Sequence, residues 1–142
     1  EARIDLSPGD SFLRILPMDQ SWDDGGYYDD PFTIIDVMRT IDAPVNTYAI
    51  GGCHSAGAII VASGTGTRAA YANALLMVHD NLSEDGGRYS NDTKENQRMH
   101  TFWGAFKQLP KTWFTKVTDE ANYITAEEAL EFGLVDTILR SE

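Results

Sequence analysis

Two residues whose types could carry out acyl transfer stand at the ends of apolar segments. Ser55 lies in Gly51-Gly52-Cys53-His54-Ser55-Ala56-Gly57, and His79 directly follows Ala74-Leu75-Leu76-Met77-Val78. A serine hydroxyl is a poor nucleophile unless a base takes its proton and donors hold the oxyanion that results. A strand turning sharply into a helix lifts the serine out at the turn. It also leaves the first helical N–H groups without intrahelical acceptors. Ser55 stands at such a turn, and Ala56 and Gly57 keep its backbone approachable. The same serine has a plainer use as the N-cap of that helix, the commoner role of Ser there. The pattern Gly-x-Ser-x-Gly is absent, because Cys53 stands two residues before Ser55.

Two neighbours compete for the nucleophile's and the base's roles. Cys53 could pair with His54, but adjacent residues in a tight turn rarely point at one another, so Cys53 reads as a small core residue. His54 reads as a surface or packing residue beside the site. His79 is the better base, since ligand clefts open at the carboxyl ends of parallel strands. A lone His after an apolar run is more often structural, and it is the pairing with Ser55 that makes a Ser–His couple.

The elements that must position this couple follow from the apolar pattern. Ser11–Pro17 suits a buried strand, followed by a long polar loop. A helix is expected from Pro31, with Asp30 as its N-cap and Phe32, Ile35, Val37 or Met38, and Ile41 on its apolar face; Pro44 closes it. Val45–Ile50 reads as a second strand, broken by Gly51-Gly52. The small apolar residues from His54 onward suit a buried helix closed by Gly64 and Gly66.

Ala74–Val78 is a third strand, and residues 80–92 form a loop or an irregular edge strand. Helices are expected over 93–108, with an aromatic stripe of Met99, Phe102, Trp103 and Phe106, and around 112–121. Thr125-Ala126-Glu127-Glu128 is a capping box opening a helix that Gly133 ends, and Val135–Leu139 is a last strand. Strands alternating with helices imply an α/β fold with a mostly parallel sheet.

The chain has 142 residues, 42% of them apolar, which is enough for one domain with a core and too few for two. A formal charge of −11 argues against a nucleic-acid partner, since binding phosphates needs a basic face. No apolar run reaches the roughly 20 residues of a membrane helix and no basic-then-apolar leader opens the chain, so no membrane partner is expected. Residue 1 is not Met, so it can be a processing boundary with native sequence upstream. Cys53 is the only cysteine; no intrachain disulfide and no Cys-based zinc site can form, and a reducing compartment fits best.

Four segments, in order, resemble the Clp protease family of self-compartmentalising serine peptidases with a crotonase-like fold. Gly25-Gly26 with Asp-Asp-Pro-Phe-Thr-Ile-Ile-Asp-Val-Met after it is similar to the family's Gly-Gly loop and next helix, with Asp36 at the expected distance. Ile50–Arg68 resembles the nucleophile segment, Ser55-Ala56-Gly57-Ala58 standing where Ser-Met-Gly-Ala is usual. Leu75–Asn81 resembles the Met-Ile-His segment, and Tyr123–Asp136 the C-terminal helix and strand. The resemblance covers most of residues 12–139. It implies a single peptidase domain over residues 1–142, built of repeated β–β–α units, with the usual N-terminal part missing or truncated.

Roles follow from the resemblance. Ser55 would attack the scissile carbonyl, His79 would relay the proton, and the N–H groups of Gly26 and Ala56 would form the oxyanion hole. The family's third triad residue falls on Ala121 in an ungapped match, so Asp119 is the candidate acid, with Glu120 and Asn122 as weaker substitutes. The segment between His79 and Tyr123 is several residues shorter than the family's handle, through which two rings stack. Its bulky aromatics Trp103, Phe106 and Trp113 suit core or subunit interface.

The resemblance further implies an ATP-dependent endopeptidase that cleaves unfolded polypeptides inside a ring of identical subunits. That ring would be a heptamer or a stacked pair, fed by an AAA+ unfoldase, without metal or cofactor, in the cytoplasm or an organelle stroma or matrix. Two other readings compete: an inactive ring subunit, and a crotonase-fold enzyme acting on acyl-CoA thioesters.

Overall fold

The computed structural model describes residues 3–7, 10–14, 29–79, 94–110 and 122–140. Gly25, Gly26, Asp119, Glu120, Trp113, the loops at 18–24 and 80–92 and the helix expected around 112–121 lie outside them.

Among the described residues the chain forms eight strands and four helices. The strands are β1 (Arg3–Ser7), β2 (Asp10–Arg14), β3 (Asn46–Ala49), β4 (Gly52–His54), β5 (Arg68–Tyr71), β6 (Leu75–Val78), β7 (Asn122–Thr125) and β8 (Thr137–Leu139). The helices are α1 (Asp29–Thr40), α2 (Ala56–Ala62), α3 (Lys94–Gly104) and α4 (Ala126–Glu131). A five-stranded sheet has the order β1-β2-β3-β5-β8, and a three-stranded sheet the order β4-β6-β7. The pairs β2–β3, β3–β5, β5–β8 and β4–β6 are parallel, while β1–β2 and β6–β7 are antiparallel.

The expected α/β class with mostly parallel pairing is therefore present, divided between two sheets. Its repeat is a β–β–α unit: β3 joins the larger sheet, β4 the smaller, and α2 follows; β5, β6 and α3 do the same. Gly51 makes the first change of sheet, with φ 66°, a conformation that glycine adopts without a side-chain penalty.

The core lies between the sheets and the helices. Every residue of α2 from Gly57 to Ala62 is buried, which explains why this helix carries only small and apolar side chains. Ile35 and Met38 of α1, Leu76 and Val78 of β6, Met99 and Trp103 of α3, Ile124, Leu134 and Val135 complete it. The aromatic stripe of α3 packs on α1, Phe102 lying edge-on to Phe32 at 6.0 Å and to Trp103 at 4.8 Å. Thr47, fully buried on β3, donates its hydroxyl to the Val61 carbonyl (2.7 Å), so the end of α2 is tied to the sheet.

Four expectations are corrected. The first helix begins at Asp29, so Asp30 is its second residue and not its N-cap. Pro31 is tolerated inside the first turn because N–H groups there have no intrahelical acceptor. Gly52–His54 is a strand, so the helix after Gly51 starts at Ala56 rather than at His54. Arg68–Tyr71 and Asn122–Thr125 are strands that the apolar pattern did not indicate. The first expected strand occupies Asp10–Arg14, slightly earlier than Ser11–Pro17.

The expectation for α4 holds. The capping box forms with both bonds, Glu128 N–H to Thr125 Oγ1 (3.2 Å) and Thr125 N–H to Glu128 Oε2 (2.9 Å). Gly133, at φ 76°, ends α4, and Leu134 N–H reaches back to the Ala129 carbonyl (2.8 Å).

Candidate active site

The three-stranded sheet delivers the chemistry-bearing residues. β4 and β6 run parallel with Cys53 opposite Leu76 and His54 opposite Met77, so both strands end at the same edge. Ser55 is the residue after β4 and His79 the residue after β6. The ladder extends one step further, because the Ser55 N–H donates to the Met77 carbonyl at 2.7 Å. The chain then turns at once into α2, with Ala58 and Ile59 donating back to the Ser55 carbonyl (3.0 and 3.2 Å).

That turn forces Ser55 to φ 52° and ψ −116°, and Ser55 alone among the described non-glycine residues has positive φ. Such a conformation is costly for a residue with a Cβ and persists only where its surroundings fix it. The serine occupies the N-cap position of α2 without making a side-chain cap bond. Its Oγ lies instead 2.8 Å from His79 Nε2, within hydrogen-bond distance. Both side chains are half-buried. In the tautomer that leaves Nε2 without a proton, the hydroxyl donates to it, at a distance within the range a nucleophile and its base use.

Alternation along β4 separates the neighbours. Cys53 points into the core, 2% exposed, whereas Gly52 and His54 face outward. Burial raises the Cys53 thiol above its ordinary pKa, so little reactive thiolate forms there. His54 does not meet Cys53; its ring stands edge-on to Tyr123 at 5.8 Å.

Ala56 opens α2 beside Ser55. The Ser55 N–H is committed to Met77, so Ala56 is the next residue whose N–H, in the first helical turn, needs no intrahelical acceptor. Gly26 and Asp119 lie outside the described residues. In the antiparallel β6–β7 register Val78 pairs with Asn122, so β7 begins opposite the residue that precedes His79. Tyr123 was not singled out in the sequence; only the register of two short strands brings it opposite Met77 and within reach of His54.

Residues 23–142 match the family model described as Clp protease, and the match takes in Ser55, His79 and the turn between β4 and α2. The chain is similar to the ATP-dependent Clp protease proteolytic subunit 6, chloroplastic, of Arabidopsis thaliana. The two are 33% identical over 126 residues, covering 83% of this chain and 46% of that protein. The chain thus spans less than half the length of that curated relative. With the family model spanning six of the eight described strands and the Ser–His edge, the chain belongs to the Clp protease family.

Proposed function

We propose that the chain is a serine endopeptidase subunit of the Clp type, with Ser55 as nucleophile and His79 as general base. The observation that carries this reading is the 2.8 Å approach of Ser55 Oγ to His79 Nε2 from a serine held at positive φ and making no cap bond. Ser55 Oγ attacks the scissile carbonyl while its proton passes to Nε2. The resulting imidazolium then gives that proton to the leaving amine, and water hydrolyses the acyl-enzyme by the same route. The N–H groups of Ala56 and Gly26 hold the oxyanion, and Asp119 orients the His79 ring.

Unfolded polypeptide is the proposed substrate, and a ring of identical subunits served by an AAA+ unfoldase is the proposed assembly. The relative's description as an ATP-dependent proteolytic subunit supports both, and its chloroplastic designation favours an organelle stroma. Among the described residues, no helix is long and apolar enough to cross a membrane.

The test is covalent labelling with a fluorophosphonate, paired with cleavage of a short fluorogenic peptide. Labelling is expected at Ser55, and Ser55→Ala should lower kcat on the order of 10⁴-fold or more. Unchanged cleavage in Ser55→Ala would overturn the mechanism, and an unlabelled chain points to the inactive-subunit reading. For the acid, Asp119→Asn should cost about 10⁴ in rate if Asp119 orients His79; a loss of only a few-fold removes it from the role. A solution mass separates monomer, single ring and stacked rings.

A further inference from the structure

The outer face of the three-stranded sheet carries a ring pair that the chemistry does not use directly. His54, Met77 and Tyr123 occupy one row across β4, β6 and β7. The His54 and Tyr123 rings lean toward each other over the middle strand and meet edge-to-face, 5.8 Å apart at 89°. Both residues are exposed, Tyr123 at 56%. The His54 ring also lies over the bare Cα of Gly52. A Cβ there would come within 3.2 Å of Nε2 and 3.3 Å of Cε1, so a side chain at 52 would press the ring to shift by a few tenths of an ångström.

The three strands joined by this contact each lead to one part of the proposed machinery. His54 immediately precedes Ser55, whose unusual backbone must be fixed from outside. Met77 lies two residues before His79 and accepts the Ser55 N–H. Tyr123 follows Asn122, which pairs with Val78, the residue before His79. Among the described residues, β4 and β7 do not pair with each other, and each pairs with β6. The ring contact is a direct brace between the strand before the nucleophile and the strand beside the base.

Resting on the serine-peptidase reading, we infer that the His54–Tyr123 pair is a positioning device: it bridges β4 and β7 and holds the Ser55–His79 approach at its working distance. Neither residue touches substrate. Working side chains must be held within about 0.5 Å of productive geometry, and an edge-to-face ring pair supplies a stabilisation of the right size for that task.

The experiment compares His54→Ala, Tyr123→Ala, the double variant and Tyr123→Phe in the full chain. Peptide kcat and KM are measured together with the rate of fluorophosphonate labelling at Ser55. Each alanine variant should lose about 3- to 10-fold in kcat and in labelling rate at unchanged KM. The double variant should fall no further than the worse single one, because the two rings act as one unit. Tyr123→Phe keeps the ring and should restore the rate.

Multiplicative losses in the double variant, or alanine variants that label at the unsubstituted rate, overturn the pair alone. Should Tyr123→Ala fail to fold, His54→Ala on the opposite strand still decides between these outcomes. An unsubstituted chain that does not label overturns the serine reading, and the pair with it.

Discussion

Ser55 pays for its position in backbone strain. At φ 52° and ψ −116° its Cβ crowds its own backbone, a cost of about 1–3 kcal/mol that a glycine would not bear. Ser55→Gly and Ser55→Ala both remove the hydroxyl, but only the alanine keeps the Cβ. The glycine variant should therefore be more stable than the alanine variant by about 1 kcal/mol in thermal or urea unfolding. Equal stabilities would mean that the turn relaxes without the hydroxyl. The sequence points to Ser55 and His79 through their order and spacing with the flanking segments, since each alone reads as structural. It could not reveal the strain, since a Ser before a helix reads as an N-cap, and N-caps take extended backbone. In the structure that serine makes no side-chain cap bond, and its hydroxyl lies 2.8 Å from His79 Nε2. The candidate acid was harder to read, because the length of a loop leaves no periodic trace.

At the scale of elements, legibility followed the apolar pattern. α1, α3 and α4 announce themselves through apolar spacing or a capping box, and α2 through an unbroken run of small apolar residues. β4 (Gly-Cys-His) and β5 (Arg-Ala-Ala-Tyr) are too short for a period of two to show, and neither is rich in β-branched residues. Their strand conformation comes from their neighbours, β6 for the one and β3 with β8 for the other.

The junction of α2 with the larger sheet shows how closely such elements meet. A Cβ on Gly64 would lie 2.5 Å from Thr47 Oγ1 and 3.0 Å from Arg68 Cγ. Thr47 is fully buried and its hydroxyl is bonded to Val61, so it cannot turn aside. Gly64→Ala should destabilise the fold by about 1–3 kcal/mol through overpacking. Gly104→Ala, with nothing within 4 Å of the added methyl, should be neutral or slightly stabilising. A Gly64→Ala chain with unchanged melting temperature would show that this junction has room to yield.

Across the whole molecule, residues far apart in sequence are closed by Arg68 and Asp136. The guanidinium grips the carboxylate through Nε (3.0 Å) and through its second terminal nitrogen, and gives Nη1 to the Gly133 carbonyl (2.9 Å). The backbone N–H of Arg68 bonds to the same carboxylate and that of Asp136 to the Arg68 carbonyl (2.8 and 2.7 Å). This clasp sits where β5 receives β8, so it joins two strands far apart in the sequence. A lysine could not reproduce the forked contact.

The Arg68 hydrogen bond holds the Asp136 carboxyl below its ordinary value, against a smaller opposing effect of burial. Above the unfolded pKa of about 3.9 both states are ionised and the clasp contributes in full. As pH falls further, the unfolded chain takes up its proton first, and the contribution is lost as pH passes through the lower folded value.

Asp136→Asn should thus destabilise the protein at pH 7 and progressively less below about pH 4. The carboxylate is 44% exposed, so solvent screening limits the charge contribution to about 1 kcal/mol or less. Comparing parent and variant at each pH also removes the general effect of titrating a chain whose formal charge is −11. A destabilisation that stays constant from pH 7 to pH 3 would mean that the geometry of the clasp, which an amide partly keeps, matters more than its charge.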